Sequence, residues 1–327
     1  MFFAIPASAV FINGHNYVSL ASWARGNGLN GFTRNRGGEM VLTNRATRLV
    51  FDKDSSNAEI NGVQVALSFP VANQKGVLMI SQLDIDTTVR PLISPQKISG
   101  KKIMTICLDP GHGGKDTGNR VHRFFWHDEK TYTLELALEL RAQLQKAGFN
   151  VRLTRASDTF VELPARPDLA NRRNADLFIS LHFNATEIDK NDVAGPETYC
   201  ITPVGASSTN ARGEGSDYGA TPANREQQKS LLLAYEIERS LAQNLHAPDR
   251  GVRRARFAVL RDAAMPAILI EGGYMTHPVE GKKIFDPAYR KQMAAAIVKG
   301  ILDYKKNIEP AAAVTTPRKF PTGKKKK

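Results

Sequence analysis

Cysteine is scarce in this 327-residue chain, which has only Cys107 and Cys200. Two are too few for a disulfide scaffold, and they lack the paired spacing of a zinc ribbon. Both lie in apolar, strand-like segments, so buried free thiols are expected. A disulfide stays open, since only distances decide it. Long hydrophobic runs are also missing. No apolar stretch approaches the roughly 18–20 residues a membrane span needs. No fixed-period repeat is visible. Charged residues at 24% and apolar ones at 42% exclude a collagen-like or wholly disordered chain. Acid is in deficit: 45 Lys+Arg against 32 Asp+Glu leave a net +13. Such an excess points to a polyanionic partner.

The excess is uneven. Residues 305–327 hold eight Lys/Arg and one acid, a net +7, which leaves +6 for the rest of the chain. Residues 306–327 read as a disordered basic tail ending in four lysines. It is either a solubilising tail or a tether to an anionic envelope polymer. At the other end, residues 1–9 are apolar and finish in Ala7-Ser8-Ala9. That resembles a signal-peptide remnant without its basic start, and an N-terminal strand is the alternative.

Between these ends two regions differ in pattern. Residues 10–95 form a small β-rich module. Asn13-Gly14, Gly37-Gly38 and Asn61-Gly62 each sit between strand-like runs, a strong hairpin signal. One helix is expected at 20–27. Residues 96–102, the end of a proline-bearing stretch, read as a linker. From 103 to 305 strands alternate with helices. The expected strands are 103–109, 150–154, 176–182, 198–202, 257–260 and 267–273. The helices are 129–147, about 161–173, 225–245 and 287–305. This predicts an α/β fold with a mainly parallel sheet covered by helices on both faces.

In such sheets the chemistry lies at the carboxyl ends of the strands. Three ends carry metal-competent residues: Asp109-Pro110-Gly111-His112-Gly113-Gly114, Ser180-Leu181-His182-Phe183-Asn184 and Ile270-Glu271-Gly272-Gly273. Two imidazoles and a carboxylate suit a divalent metal, most often zinc. Asp128-Glu129, at a helix start, offers a third ligand. The glycine-rich loop could instead cradle phosphate, although it fits neither GxxxxGK[ST] nor GxGxxG. His15, His122, His127, His246 and His277 read as ordinary surface or core histidines.

At these residues the chain resembles a known family. LDPGHGGKDTG (108–118), EKTYTLELALEL (129–140), VRLTR (151–155), ADLFISLHFNA (175–185), GPETY (195–199) and RGVRRARFAVLRDAAMPAILIEGGYMTHPVE (250–280) follow the order of the zinc-dependent N-acetylmuramoyl-L-alanine amidases of bacterial cell walls. The resemblance implies a six-stranded α/β domain over 103–305, holding one Zn2+ through His112, Glu129 and His182. Glu271 takes the place of the catalytic glutamate. The implied substrate is peptidoglycan, cut at the amide between the lactyl group of N-acetylmuramic acid and L-alanine. Asn184, Glu197, Arg250, Arg253 and Arg254 are candidate substrate contacts, and Asp109 and Asn184 candidate supports for the ligands. Residues 119–128 are longer and more aromatic than is usual in the family, which bears on Glu129. The polar loop 205–227 reads as a cleft wall or an inert insertion. In the first region NGHNYVSLASWARGNGL (13–29), LTNRATRLVFDKDSSNAEINGVQVALS (42–68) and DIDTTVRPLISP (84–95) resemble the copper amine oxidase N-terminal-like domain, a module attached to cell-wall hydrolases, and the region has no copper-ligand cluster. A monomer exported to the periplasm or cell envelope is expected, with no nucleic acid bound. The alternatives are an inactive peptidoglycan-binding protein or a zinc peptidase of the stem peptide.

Overall fold

A computed structural model describes residues 9–34, 38–98, 102–188, 191–210 and 219–310. The signal-like segment up to Ser8, Gly37, most of the basic tail and residues 211–218 of the polar loop lie outside the described residues.

The first region is built from short strands around two-residue turns. β1 (Val10–Ile12) and β2 (His15–Ser19) flank Asn13-Gly14, and β6 (Asn57–Ile60) and β7 (Val63–Ala66) flank Asn61-Gly62. All four turn residues have positive φ, as a type I′ turn demands. β8 (Ala72–Gln74) and β9 (Val77–Ser81) use Lys75-Gly76 the same way, with φ of 47° and 87°. β3 (Gly31–Arg34), β4 (Glu39–Thr43) and β5 (Arg48–Asp52) continue the meander, and α1 spans Leu20–Gly26. The segment after β9 is helical: α2 (Gln82–Asp84), a π turn (Ile85–Val89) and α3 (Arg90–Ile93). Ser81 starts it by accepting from Asp84 N, and Pro91 near the N-terminus of α3 lacks a donor that position does not need.

The second region contains β10 (Thr105–Pro110), the hairpin β11 (Arg120–His122) and β12 (Trp126–Asp128), α4 (Glu129–Lys146), β13 (Asn150–Leu153), α5 (Ala165–Arg172), β14 (Leu177–Asn184) and β15 (Glu197–Cys200). Then come α6 (Gln227–Leu245), β16 (Val252–Arg254), α7 (Ala258–Arg261), β17 (Ala267–Tyr274), α8 (Glu280–Phe285) and α9 (Pro287–Ile308). The sixth strand is therefore Val252–Arg254, not 257–260. Phe-Ala-Val-Leu forms a single helical turn, with Leu260 N donating to Phe257 O. Four apolar residues cannot distinguish a strand from a buried turn.

The strand order is β13-β10-β14-β17-β15-β16, with only the β15–β17 pair antiparallel. Alternation along the strands divides the core. Ile106, Leu108, Ile179, Leu181, Ile268 and Ile270 join the α4/α6/α9 side, while Cys107, Phe178, Ala267 and Leu269 face α5 and α7. Cys107 and Cys200 are buried free thiols in separate clusters.

The sheet does not stop at β16. Val252 pairs in parallel with Val65, and the order runs on through β7-β6-β5-β4-β3 to eleven strands. One apolar cluster likewise extends from Val18 to Ile308.

Candidate metal centre

Strand register assembles the site. His182 on β14 lies opposite Glu271 on β17, and Glu271 lies opposite Glu197 on β15. Cross-strand partners share a face, so the three side chains stand in one row at the carboxyl edge of β14 and β17. Pro110 pairs with Leu181, which brings Gly111 into the same row. The His182 ring leans over Gly111, where a Cβ would stand 2.3 Å from His182 Cε1.

His112 follows on a turn with φ of 61°, a left-handed conformation that glycine and asparagine adopt most easily. Buried side chains hold that turn. Arg155 donates to Pro110 O and Gly111 O, and Arg166 donates to Pro110 O and His112 O. Thr133 Oγ1 donates to Gly111 O at 2.8 Å. Asp109 is fully buried and supports the turn indirectly, pairing with Arg166 at 2.8 Å while accepting from Thr154 and Ser180.

Glu129 is the first residue of α4, where the helix dipole favours a carboxylate. The aromatic insertion before it forms its own hairpin and leaves that position intact. His112 Nε2 lies 3.1 Å from Glu129 Oε2, and His182 Nδ1 lies 3.0 Å from Oε1. Glu129 also accepts from Phe183 N, Asn119 N and Asn119 Nδ2. Burial alone would raise its pKa, but the bonds to His112 and His182 outweigh that and hold it far below the carboxylate range. For His112 burial acts downward, and its bonds to Glu129 and Asp116 turn the net shift upward.

One nitrogen of each histidine and one Glu129 oxygen lie within 4.8 Å of one another. The donor set of two imidazoles and a carboxylate fits a small divalent cation. The surroundings fit as well. A Cβ on Gly118 would fall 2.5 Å from His112 Cδ2 and 2.7 Å from Glu129 Oε2, so only glycine leaves the cluster room. The five other histidines are not in this group.

Glu271 faces the cluster from the same row. Its Oε2 is buried and takes no hydrogen bond among the described residues. Its pKa is raised well above the usual carboxylate value, first by burial and then by the charges of Glu129 and Glu197. Glu197 is bound in turn. Asn184 Nδ2 and Tyr199 OH donate to its Oε1, and Arg250 and Arg253 pair with its Oε2 at 3.2 and 2.8 Å.

Arg254 departs from expectation. It is 1% exposed and turned away from the row, with its guanidinium donating to Thr87 O, Thr88 Oγ1 and Cys200 Sγ. Alternation along β16 sends it opposite to Arg253, so it ties the two regions together rather than meeting substrate. Two residues that the motif reading did not single out also serve the cluster. Asp116 Oδ2 lies 2.9 Å from His112 Nδ1, and Asn119 bridges Glu129 to Phe183 O. The i, i+4 spacing of His112 and Asp116 was the only sequence signal for either.

Fold and site together define an α/β protein with a candidate hydrolytic metal centre. A family profile described as N-acetylmuramoyl-L-alanine amidase matches residues 106–303, and the chain belongs to that family. It is 30% identical over 263 residues to the N-acetylmuramoyl-L-alanine amidase LytC of Bacillus subtilis, covering 80% of this chain and 43% of that protein. It is 31% identical over 231 residues to the amidase AmiA of Escherichia coli, covering 64% of this chain and 78% of that one. The crystal structure of an N-acetylmuramoyl-L-alanine amidase from Clostridium difficile matches with a TM-score of 0.52 at 32% identity, covering 63% of this chain and 98% of the other. The chain thus spans less than half the length of the Bacillus relative.

Proposed function

We propose that this chain is a zinc-dependent peptidoglycan amidase that acts in the periplasm or cell envelope. It hydrolyses the amide between the lactyl group of N-acetylmuramic acid and L-alanine. The observation that carries this reading is Glu271 Oε2, buried and without a hydrogen bond among the described residues, beside the His112–Glu129–His182 cluster. Those three residues would hold one zinc per chain. Zinc bound there supplies Lewis acidity toward the scissile carbonyl and an acidified water.

The chain's own residues do the rest. Glu271 takes a proton from the attacking water and delivers it to the leaving nitrogen. The delivery is required because an amide does not expel an amine anion near neutral pH. Burial of Glu271 favours the transfer, since a carboxylate of raised pKa is a stronger base. Asp116 fixes the tautomer and ring orientation of His112. Glu197 and Asn184 form the far wall. Arg250 and Arg253 are 27% and 30% exposed at their side chains, so each can meet stem-peptide carboxylates as well as Glu197.

Mass spectrometry of sacculi digested with the purified protein tests the reading. The expected products are peptides with a free L-alanine amino terminus, lost on chelation and restored by zinc. Cuts inside the stem would make it a peptidase, and intact sacculi that retain the protein would make it a binding module.

A further inference from the structure

The hairpin β11–β12 is not used by the chemistry above, and it carries exposed aromatic side chains. Phe124, Phe125 and Trp126 are 98%, 63% and 59% exposed. Its two faces differ. On the inner one, His127 is buried and stacks on Phe285 at 3.8 Å, Val121 packs on the core, and Arg123 Nη2 donates to His277 O. On the outer one, the register pairs His122 with Trp126 and Arg120 with Asp128. The His122 and Trp126 rings meet edge-on at 4.9 Å, the Arg120 guanidinium sits 5.0 Å over Trp126, and Arg120 bonds Asp128 at 2.7 Å. The result is an indole fixed between Arg120 over one face and the His122 ring, still 59% exposed, with the Arg120–Asp128 ion pair beside it.

We propose that this outer face is a saccharide platform that grips the glycan strand beside the muramyl unit being cut. The inference rests on the peptidoglycan reading of the substrate. A pyranose ring offers an apolar C–H face to an aromatic ring and hydroxyls at its edge, which matches the exposed part of an indole with His122 and the Arg120–Asp128 pair beside it. Position agrees. Trp126 is three residues before Glu129, about 10 Å at roughly 3.3 Å per strand residue. The scissile amide hangs from a sugar, so a sugar must stand beside the cluster and its neighbours on the strand fall at the hairpin's distance. Insertion into a lipid surface would instead bring the Arg120–Asp128 ion pair toward the bilayer at a desolvation cost.

Trp126 reports on its own occupancy, because the other tryptophan, Trp23, is buried. Peptide-free glycan strands are expected to shift the emission of the wild-type full chain and to leave Trp126→Phe silent. Trp126→Ala is expected to raise KM roughly three- to tenfold on long-glycan substrate with kcat unchanged. It should leave a single-muramyl substrate unaffected, and Trp126→Phe should restore most of the loss. A wild type that cleaves the single-muramyl amide yet gives no glycan signal overturns the platform alone. Equal losses on both substrates reduce Trp126 to a structural residue and also overturn it. So does emission that responds to phosphatidylglycerol–phosphatidylcholine vesicles and not to glycan. A wild type that cleaves no muramyl amide overturns the proposed function instead.

Discussion

Glu271 carries the sharpest expectation at the scale of single residues. Glu271→Gln keeps the shape and removes the base, so kcat/KM should fall about 10²–10⁴-fold with zinc content unchanged. Full activity in that variant would exclude Glu271 as the proton carrier. Its pH behaviour has a definite sign. The working form is the carboxylate, and burial with the charges of Glu129 and Glu197 raises its pKa above 4.5. Activity should therefore fall as pH drops through a value above the ordinary glutamate range, and a pH–rate profile locates that limb. Asp116 makes a separate claim. It orients His112 without joining the cluster, so Asp116→Asn should weaken zinc binding about 10–100-fold. Competition with a chelator measures that, and unchanged affinity would remove Asp116 from the site.

At the scale of elements, the row across β14, β17 and β15 depends on a glycine in β10's extension. Gly111→Ala places a methyl against the His182 ring. It should reduce zinc affinity at least tenfold in a protein whose circular dichroism is unchanged, and normal loading would contradict the register argument. Much of this level was readable in the sequence. The Asn-Gly turns, the apolar parallel strands and the residues at their ends follow from local pattern. The sixth strand was not, because Val252–Arg254 is a three-residue strand two of whose residues are arginines and Phe257–Leu260 is the more apolar stretch. In α4 the repeated leucines conceal which face is buried. Leu136, Leu140 and Leu144 are buried with Tyr132 and Thr133, whereas Leu134 and Leu138 sit at the margin. Asn184, Glu197, Arg250 and Arg253 could be read as cleft candidates, but their mutual pairing could not, since it joins residues far apart in the chain. Arg254 differs from Arg253 only by strand parity, which needs the strand first.

The whole molecule is held together at a junction with no motif. Asp249 Oδ2 accepts from Gln64 N, and Tyr235 OH donates to Ile60 O, so the second region binds β6 and β7 directly. Beneath lies Glu238, fully buried, accepting from Thr198 Oγ1. Burial first, then the charge of Asp249, raises its pKa well above 4.5. The folded state therefore keeps a proton that the unfolded state releases, and this contribution to stability fades as pH rises above the unfolded value. Glu238→Gln should lose less stability than wild type between pH 5 and pH 8 in urea titrations. Parallel losses would show that Glu238 does not titrate at the junction.

The splice of Val252 to Val65 also sets a length. From β17 to β3 the sheet takes seven strand steps, about 34 Å at roughly 4.8 Å per step. Whatever the outer strand rests on, the metal centre stands at that offset along a continuous sheet rather than at the end of a leash. Changing the length of residues 96–102 would leave the reach as it is, while deleting a strand pair would shorten it by two strand steps.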